Sequence, residues 1–179
     1  MAEAFINQVN RAVGIVTSSS NASIGVGLTW MSGISTAHVA INDLVDNSNF
    51  IAGTKVTLVG VSSVQLDRAS TNTVAATASN VSFLGPTTSY SSASATKSIL
   101  IGGTFANNTA NSVNLTVTVY DNSAETESQL AAKIPVPTGS SFVISDAGKT
   151  VLEGNDEVRV YCDTENGIDV NLSILKGVS

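Results

Sequence analysis

Apolar and polar residues alternate strictly along several segments in the C-terminal half of the chain. In residues 115–120, Leu and Val alternate with Thr and Tyr, and in residues 168–174, Ile, Val and Leu alternate with Asp, Asn and Ser. A period of two places successive side chains on opposite faces of a β-strand. The pattern therefore predicts strands with one buried and one solvated face. No helical period is present beyond residue 14.

Polar turn residues separate the candidate strands of residues 98–179 at intervals of about ten residues, a spacing typical of sandwiches and jelly rolls. The candidate strands are 98–105, 113–120, 129–136, 141–145, 150–152, 157–162 and 168–175. We therefore predict an all-β fold whose main domain, residues 98–179, is a jelly-roll-like antiparallel β-sandwich. Asn166-Gly167 predicts a hairpin between the last two strands, because both central residues of a type I′ turn need positive φ.

The N-terminal half is predicted to form three further segments. Residues 1–20 are interpreted as an N-terminal arm that ends in a first strand, since β-branched residues accumulate at its end. Residues 24–85 are predicted to be an inserted small β module, either a small barrel or a stack of hairpins, with one hairpin at residues 54–67. Residues 86–97 are too poor in large apolar side chains to build a core, and we interpret them as a polar connector.

The chain carries little charge for its size. Of its 179 residues, 42% are hydrophobic and only 12% are charged, against roughly a quarter charged in a typical globular domain. Monomeric soluble proteins usually carry more charge on their surfaces. We therefore expect partner subunits to cover much of this surface, and we expect a homo-oligomer.

The charge distribution argues against nucleic-acid and membrane partners. The net charge is −6, and the eight Lys and Arg residues are scattered singly, so no basic patch is predicted. No apolar run approaches the roughly 20 residues of a membrane span. The first residues lack a basic start followed by an apolar stretch, so we expect no signal peptide.

Two single residues could carry chemistry, but the sequence does not bring them together. Cys162 is the only cysteine and His38 the only histidine, and they lie far apart in the chain. A cysteine nucleophile needs a nearby base or another activating group. We expect Cys162 to be a buried strand residue and His38 to be a structural or surface residue.

Acidic residues cluster in three C-terminal segments. The clusters are Asp121, Glu125 and Glu127; Glu153, Asp156 and Glu157; and Asp163, Glu165 and Asp169. The first two could offer oxygen ligands to calcium, and the third could supply a carboxylate pair for glycoside hydrolysis. None has the spacing of an established site, so we expect solvated turns. The sequence thus predicts no catalytic, cofactor-binding or metal-binding residues and no cofactor.

Two aromatic residues are candidates for a carbohydrate-binding surface. Trp30 and Tyr90 could stack on a sugar ring if they lie exposed on loops. A single Trp in a small β unit is more often part of its core, and we expect that position for Trp30.

Several sequence segments resemble those of a known family of β-sandwich virion structural proteins from tailed phages, especially marine and cyanobacterial phages. The segments are Ala4–Asn7, Asn111–Tyr120, Lys133–Ser145, Lys149–Glu153 and Glu157–Cys162. Separately, Asp43–Asp67, with Ile51–Val56 and Val64–Leu66, resembles a small β module inserted in many phage structural proteins.

The resemblance implies a non-enzymatic virion structural protein that is assembled in the host cytoplasm. The expected role is a capsid decoration or cement protein, with a neck, collar or tail component as the alternative. A host-surface glycan-binding module is the second alternative. The implied partners are the major capsid protein or neck and tail proteins, and other copies of the chain. Residues 24–85 or the N-terminal arm are expected to reach a neighbouring subunit.

Overall fold

The computed structural model describes residues 3–13, 15–19, 22–51, 53–74, 80–145 and 149–178. Their regular secondary structure consists of β-strands, and every strand pair is antiparallel, which confirms the predicted all-β class. The strands are β1 (Ala4–Val13), β2 (Ile15–Ser19), β3 (Trp30–Ser32), β4 (Leu44–Asp46), β5 (Val56–Val59), β6 (Ser63–Leu66), β7 (Val81–Gly85), β8 (Thr87–Ser91), β9 (Lys97–Asn107), β10 (Val113–Asp121), β11 (Thr126–Val136), β12 (Ser141–Ile144), β13 (Thr150–Leu152), β14 (Glu157–Cys162) and β15 (Ile168–Val178).

The chain divides into two compact units. The first unit, called the sandwich below, comprises Met1–Gly14, Pro86–Cys162 and Asn166–Ser179. The second unit, called the module, comprises Ile15–Gly85 and Asp163–Glu165.

Two antiparallel sheets form the sandwich. The five-stranded sheet has the order β1-β15-β9-β12, with β13 also paired to β9, and the four-stranded sheet has the order β11-β10-β14-β8. One apolar core contains buried residues from both sheets, among them Leu100, Phe105 and Leu172 from the first and Leu115 and Val160 from the second. This shared core is what the alternating pattern predicted, and the antiparallel β-sandwich is confirmed.

The polar face of β10 differs from the prediction that it would be solvated. Thr116 and Thr118 are both buried, although they alternate with the core residues. Strand β10 is central in its sheet, so long side chains from neighbouring strands cover it. The Thr118 hydroxyl donates a hydrogen bond of 2.6 Å to the Glu127 carboxylate on β11.

The prediction of a hairpin at Asn166-Gly167 is wrong. Strand β14 pairs with β10 and β8, whereas β15 pairs with β1 and β9, so the two strands lie in different sheets. Asn166 does adopt positive φ, at 52°. Each strand buries its apolar face in the common core from opposite sides, and this tertiary packing overrides the local preference for a hairpin.

The module contains two three-stranded sheets, β2-β7-β4 and β3-β6-β5, and no sheet formed by the described residues closes into a barrel. It has its own apolar core, which includes Met31, Phe50, Val56, Val64 and Phe83. The hairpin predicted within residues 54–67 is present as β5 and β6. The Gly60 N–H donates to the Ser63 carbonyl across its turn at 2.8 Å.

Two predicted boundaries differ from the structure. Residues 86–97, interpreted as a connector, contain β8, which pairs with β14 as an edge strand of the sandwich. Some of their hydroxyl groups are satisfied inside the fold, as where Ser92 Oγ donates to the Thr96 carbonyl at 2.8 Å. Residues 1–20, interpreted as one arm, contribute β1 to the sandwich and β2 to the module.

Candidate interaction surfaces

The structure places the single histidine and the single cysteine in unrelated settings. His38 is exposed and has positive φ, at 66°. Cys162 is buried in the sandwich core, with its Sγ 3.8 Å from the Val13 carbonyl oxygen. The surface position of His38 and the buried position of Cys162 agree with the sequence-based expectation.

Asp43, which follows His38 in the sequence, has a structural function in its turn. Its buried carboxylate accepts a hydrogen bond of 2.8 Å from the Ala40 N–H. Burial raises the pKa of Asp43, and the hydrogen bond from Ala40 opposes that increase. The carboxylate therefore closes a turn.

The first two acidic clusters meet at one end of the four-stranded sheet. Asp121 accepts hydrogen bonds from the Ser123 hydroxyl at 2.7 Å and from the Ala124 N–H at 2.9 Å, and these bonds lower its pKa. Asp156 is buried and accepts hydrogen bonds from the N–H groups of Asn122 at 3.1 Å and Glu153 at 2.9 Å. Both carboxylates thus hold loop backbone in place.

The third cluster is divided between the two units. Asp169 lies on β15 and accepts a hydrogen bond of 3.2 Å from Asn108 Nδ2 in the sandwich. Asp163 and Glu165 belong to the module, where they face Asp46. Burial, and then repulsion by these two carboxylates, raises the pKa of Asp46.

These side chains do not assemble into a metal centre. Among the residues that the structure describes, no group of three or more His, Cys, Asp or Glu side chains could hold a metal ion. Within the same ranges, no helix has the length and apolarity of a membrane span.

The outer face of the five-stranded sheet carries an exposed apolar row. Phe5 lies opposite Leu175, Leu175 opposite Ile99, and Ile99 opposite Val151, so the four side chains cross four adjacent strands. Residues directly opposite in an antiparallel pair share a face. Phe5 is 77% exposed and Val151 57%, while Leu175 and Ile99 are half-buried. We call these four residues the apolar row.

A shallow concavity of about 380 Å³ lies on the same sheet. Gly102, Gly103, Thr104, Asn171 and Ser173 are among the residues that line it. A side chain at Gly102 would come within 2.8 Å of the Ile144 carbonyl oxygen, so the close approach of β9 and β12 requires glycine there. The concavity places polar groups on the same sheet as the apolar row.

The outer face of the four-stranded sheet is polar, and it carries an ion pair between Arg159 and Glu157. Arg159 Nε donates to the Glu157 carboxylate at 2.7 Å, and the guanidinium carbon lies 3.9 Å from the centre of the Tyr120 ring. Thr88 also donates to Glu157, at 3.1 Å. The two outer faces of the sandwich therefore differ, and only that of the five-stranded sheet displays the apolar row.

The module also exposes an aromatic surface, which corrects the prediction for Trp30. Trp30 on β3 is 49% exposed, and Gln65 on β6 lies between it and the exposed Leu58 on β5. The core that was predicted to hold Trp30 is filled instead by its neighbour Met31, because the two residues point to opposite faces of β3. Tyr90, the second aromatic candidate, is buried and hydrogen-bonded to Ser98 at 2.8 Å.

Comparisons with protein-family models, with curated proteins and with solved structures found no match to this chain.

Sequence reasoning did not identify the apolar row, because its four members come from four separate strands. Each position is an ordinary outward-facing apolar residue within its own strand. Only the register of β1, β15, β9 and β13 brings them together. The one sequence feature that indicated a surface for partner proteins was the low fraction of charged residues.

Proposed function

We propose that this protein is a non-enzymatic structural protein of a tailed-phage virion, which decorates the capsid and stabilises it. In this proposal the outer face of the five-stranded sheet packs on the major capsid protein. The observation that carries the proposal is the apolar row, which lies exposed across four strands of that sheet.

The chemistry of the row favours a protein partner. Burial of apolar surface contributes about 25 cal/mol per Å² removed from water, and an exposed apolar patch on a folded domain is typical of an interaction site. The row lacks the charges that would suit it to a polyanion. A shell that carries many copies gains stability from contacts that are individually weak.

The resemblance to phage sandwich proteins supports the particle as the setting, and the low charge supports extensive burial of the surface. The neck, collar or tail is the alternative location on the particle, because the apolar row could pack on a protein partner there as well.

Quantitative mass spectrometry of purified particles tests the proposal. We expect on the order of hundreds of copies per particle if the protein covers the symmetric shell, and roughly six or twelve if it belongs to a neck or tail ring. Absence of the protein from purified particles would refute a virion role.

A binding experiment tests the surface. Purified protein is added to particles assembled without it, and the Ile99→Lys variant is compared with Gln129→Lys. Gln129 is exposed and lies opposite Thr118, on the outer face of the four-stranded sheet. We expect Ile99→Lys to lose binding and Gln129→Lys to retain it. Equal binding of the two variants would exclude the five-stranded sheet as the docking face.

The exposed Trp30 supports a second candidate function, a glycan-binding module. An exposed indole can stack on a sugar ring, and the amide of Gln65 lies next to it on the same sheet. A glycan array with the full chain tests this function, together with Trp fluorescence and a Trp30→Ala control. A glycan that binds the natural chain but not the variant would support the glycan-binding function. Absence of binding to every glycan on the array would exclude that function.

A further inference from the structure

We propose that two copies of this chain associate by antiparallel pairing of their β1 strands, in a register centred on Asn7. This inference goes beyond the proposed function and does not depend on it. It rests on the free edge of β1 and on the order of the exposed side chains along it.

Strand β1 forms one end of the five-stranded sheet. It contains ten residues, and among the described strands it pairs only with β15. The unpaired N–H and C=O groups of an edge strand form a template for another strand. Natural edges are usually protected by proline, by charges, by a β-bulge or by short length. Strand β1 has no proline and a single charged residue, Arg11, and its pairing with β15 is regular from Ala4 to Asn10, with a register shift only between Asn10 and Val13.

The exposed side chains of this segment are arranged as a palindrome. Glu3, Phe5, Asn7, Val9 and Arg11 occupy alternate positions, and all five are exposed. Antiparallel pairing centred on Asn7 brings Glu3 opposite Arg11 of the second copy and Phe5 opposite Val9 of the second copy. A two-fold axis repeats each contact, as an isologous dimer requires.

The pattern also selects this register over its neighbours. A centre one residue later places Phe5 opposite Arg11, and a centre one residue earlier places Glu3 opposite Val9. Both alternatives set a charge against an apolar side chain and lose the Glu–Arg contact. Opposite charges and aromatic–β-branched pairs each contribute roughly 0.2–1 kcal/mol when they lie directly across a sheet.

Glu3 and Arg11 are available for this contact. The ion pairs formed by the described residues involve Asp67 with Arg68, Lys97 with Glu153, and Glu157 with Arg159, and include neither residue. Pairing would also continue the five-stranded sheet into the second copy and bring two apolar rows onto one continuous face. A strand pair alone is smaller than the roughly 800 Å² per partner of a standard interface, so we expect micromolar affinity.

Charge reversal of the full chain tests the pairing through sedimentation velocity over a range of concentrations. We expect the natural chain to dimerise, and we expect Glu3→Arg and Arg11→Glu each to weaken the dimer at least tenfold. The double variant restores the opposed charges and should recover dimerisation. A chain that stays monomeric at every concentration, or a double variant no better than the single variants, would overturn the proposal.

Disulfide trapping tests the register itself. In the proposed dimer Asn7 lies opposite Asn7 of the second copy, at the separation of a directly opposed pair, about 4.5–5.5 Å between Cβ atoms. We expect Asn7→Cys to form a covalent dimer under mild oxidation, while Thr104→Cys, exposed on the same sheet, does not. Cys162 is buried in the core and should not react. Equal cross-linking of the two variants would contradict the register.

Discussion

Two adjacent residues of β13 should respond very differently to truncation to alanine. Leu152 is completely buried in the sandwich core, whereas Val151 is 57% exposed on the apolar row. Truncation of a buried Leu to Ala costs about 2–5 kcal/mol, because transfer free energy is lost and a cavity remains. Truncation of the exposed Val should cost less than about 1 kcal/mol, since it loses mainly β-propensity.

Cys162 provides a specific probe of sandwich unfolding for this comparison. It is the only cysteine and it is buried in the core that contains Leu152. Thiol labelling over a urea series therefore reports unfolding of the sandwich. In this series Leu152→Ala should lower the free energy of unfolding by about 2–5 kcal/mol. In a thermal melt, a loss of about 3 kcal/mol should lower Tm by roughly 6–12 °C. Val151→Ala, which costs less than about 1 kcal/mol, should lower Tm by less than roughly 4 °C.

An inverted order of the two variants would contradict the assignment of Leu152 to the core and Val151 to the surface. A shift of one residue in the pairing of β13 with β9 exchanges the two faces of the strand. If Val151→Ala were the more damaging change, Val151 would belong to the core. The apolar row would then lose one of its four members.

Three further predictions concern polar groups. Asp46→Asn should raise the free energy of unfolding at pH 7 by roughly 0.5 kcal/mol, because it removes the cost of burying an ionised carboxylate and its repulsion by Asp163 and Glu165. The pKa of Asp46 is raised in the folded state, so its destabilisation is present when both states are ionised and disappears as the pH falls; urea unfolding at pH 7 and pH 3 should show the gain at pH 7 only. Ser89→Ala should stabilise the sandwich by about 1 kcal/mol, since Ser89 Oγ is buried without a hydrogen-bond partner among the described residues. Ser92→Ala should destabilise it by about 1–2 kcal/mol in the same assay, because Ser92 Oγ donates to a buried carbonyl.

The sequence predicted those parts of the fold that depend on local pattern. Alternation in residues 115–120 and 168–174 identified the core faces of β10 and β15, because period two is a property of a single strand. The hairpin of β5 and β6 was also predictable, since its turn joins strands that are adjacent in sequence. The class of the fold follows from such local signals.

Features that depend on strand pairing at a distance could not be predicted. Asn166-Gly167 has the chemistry of a hairpin turn, yet its flanking strands enter different sheets. Thr118 alternates with core residues, yet it is buried beneath side chains from the adjacent strands. Residues 86–97 lack large apolar residues, but β8 is held by backbone pairing and by hydroxyl hydrogen bonds instead.

The candidate surfaces were the least predictable features. The single Trp was assigned to the core on general grounds, while the alternation along β3 gives that position to Met31 and exposes Trp30. Phe5 and Ile99 are far apart in sequence, and only the position of β15 between β1 and β9 places them in one row. Side-chain chemistry alone contains no information on such an arrangement.

A cryo-EM map of purified particles tests the central proposal most directly, because it shows which surface of each copy meets its neighbours. We expect the outer face of the five-stranded sheet to lie against the capsid protein, with Ile99 and Leu175 buried in the contact. A map in which these two residues face solvent on every copy would exclude this mode of docking.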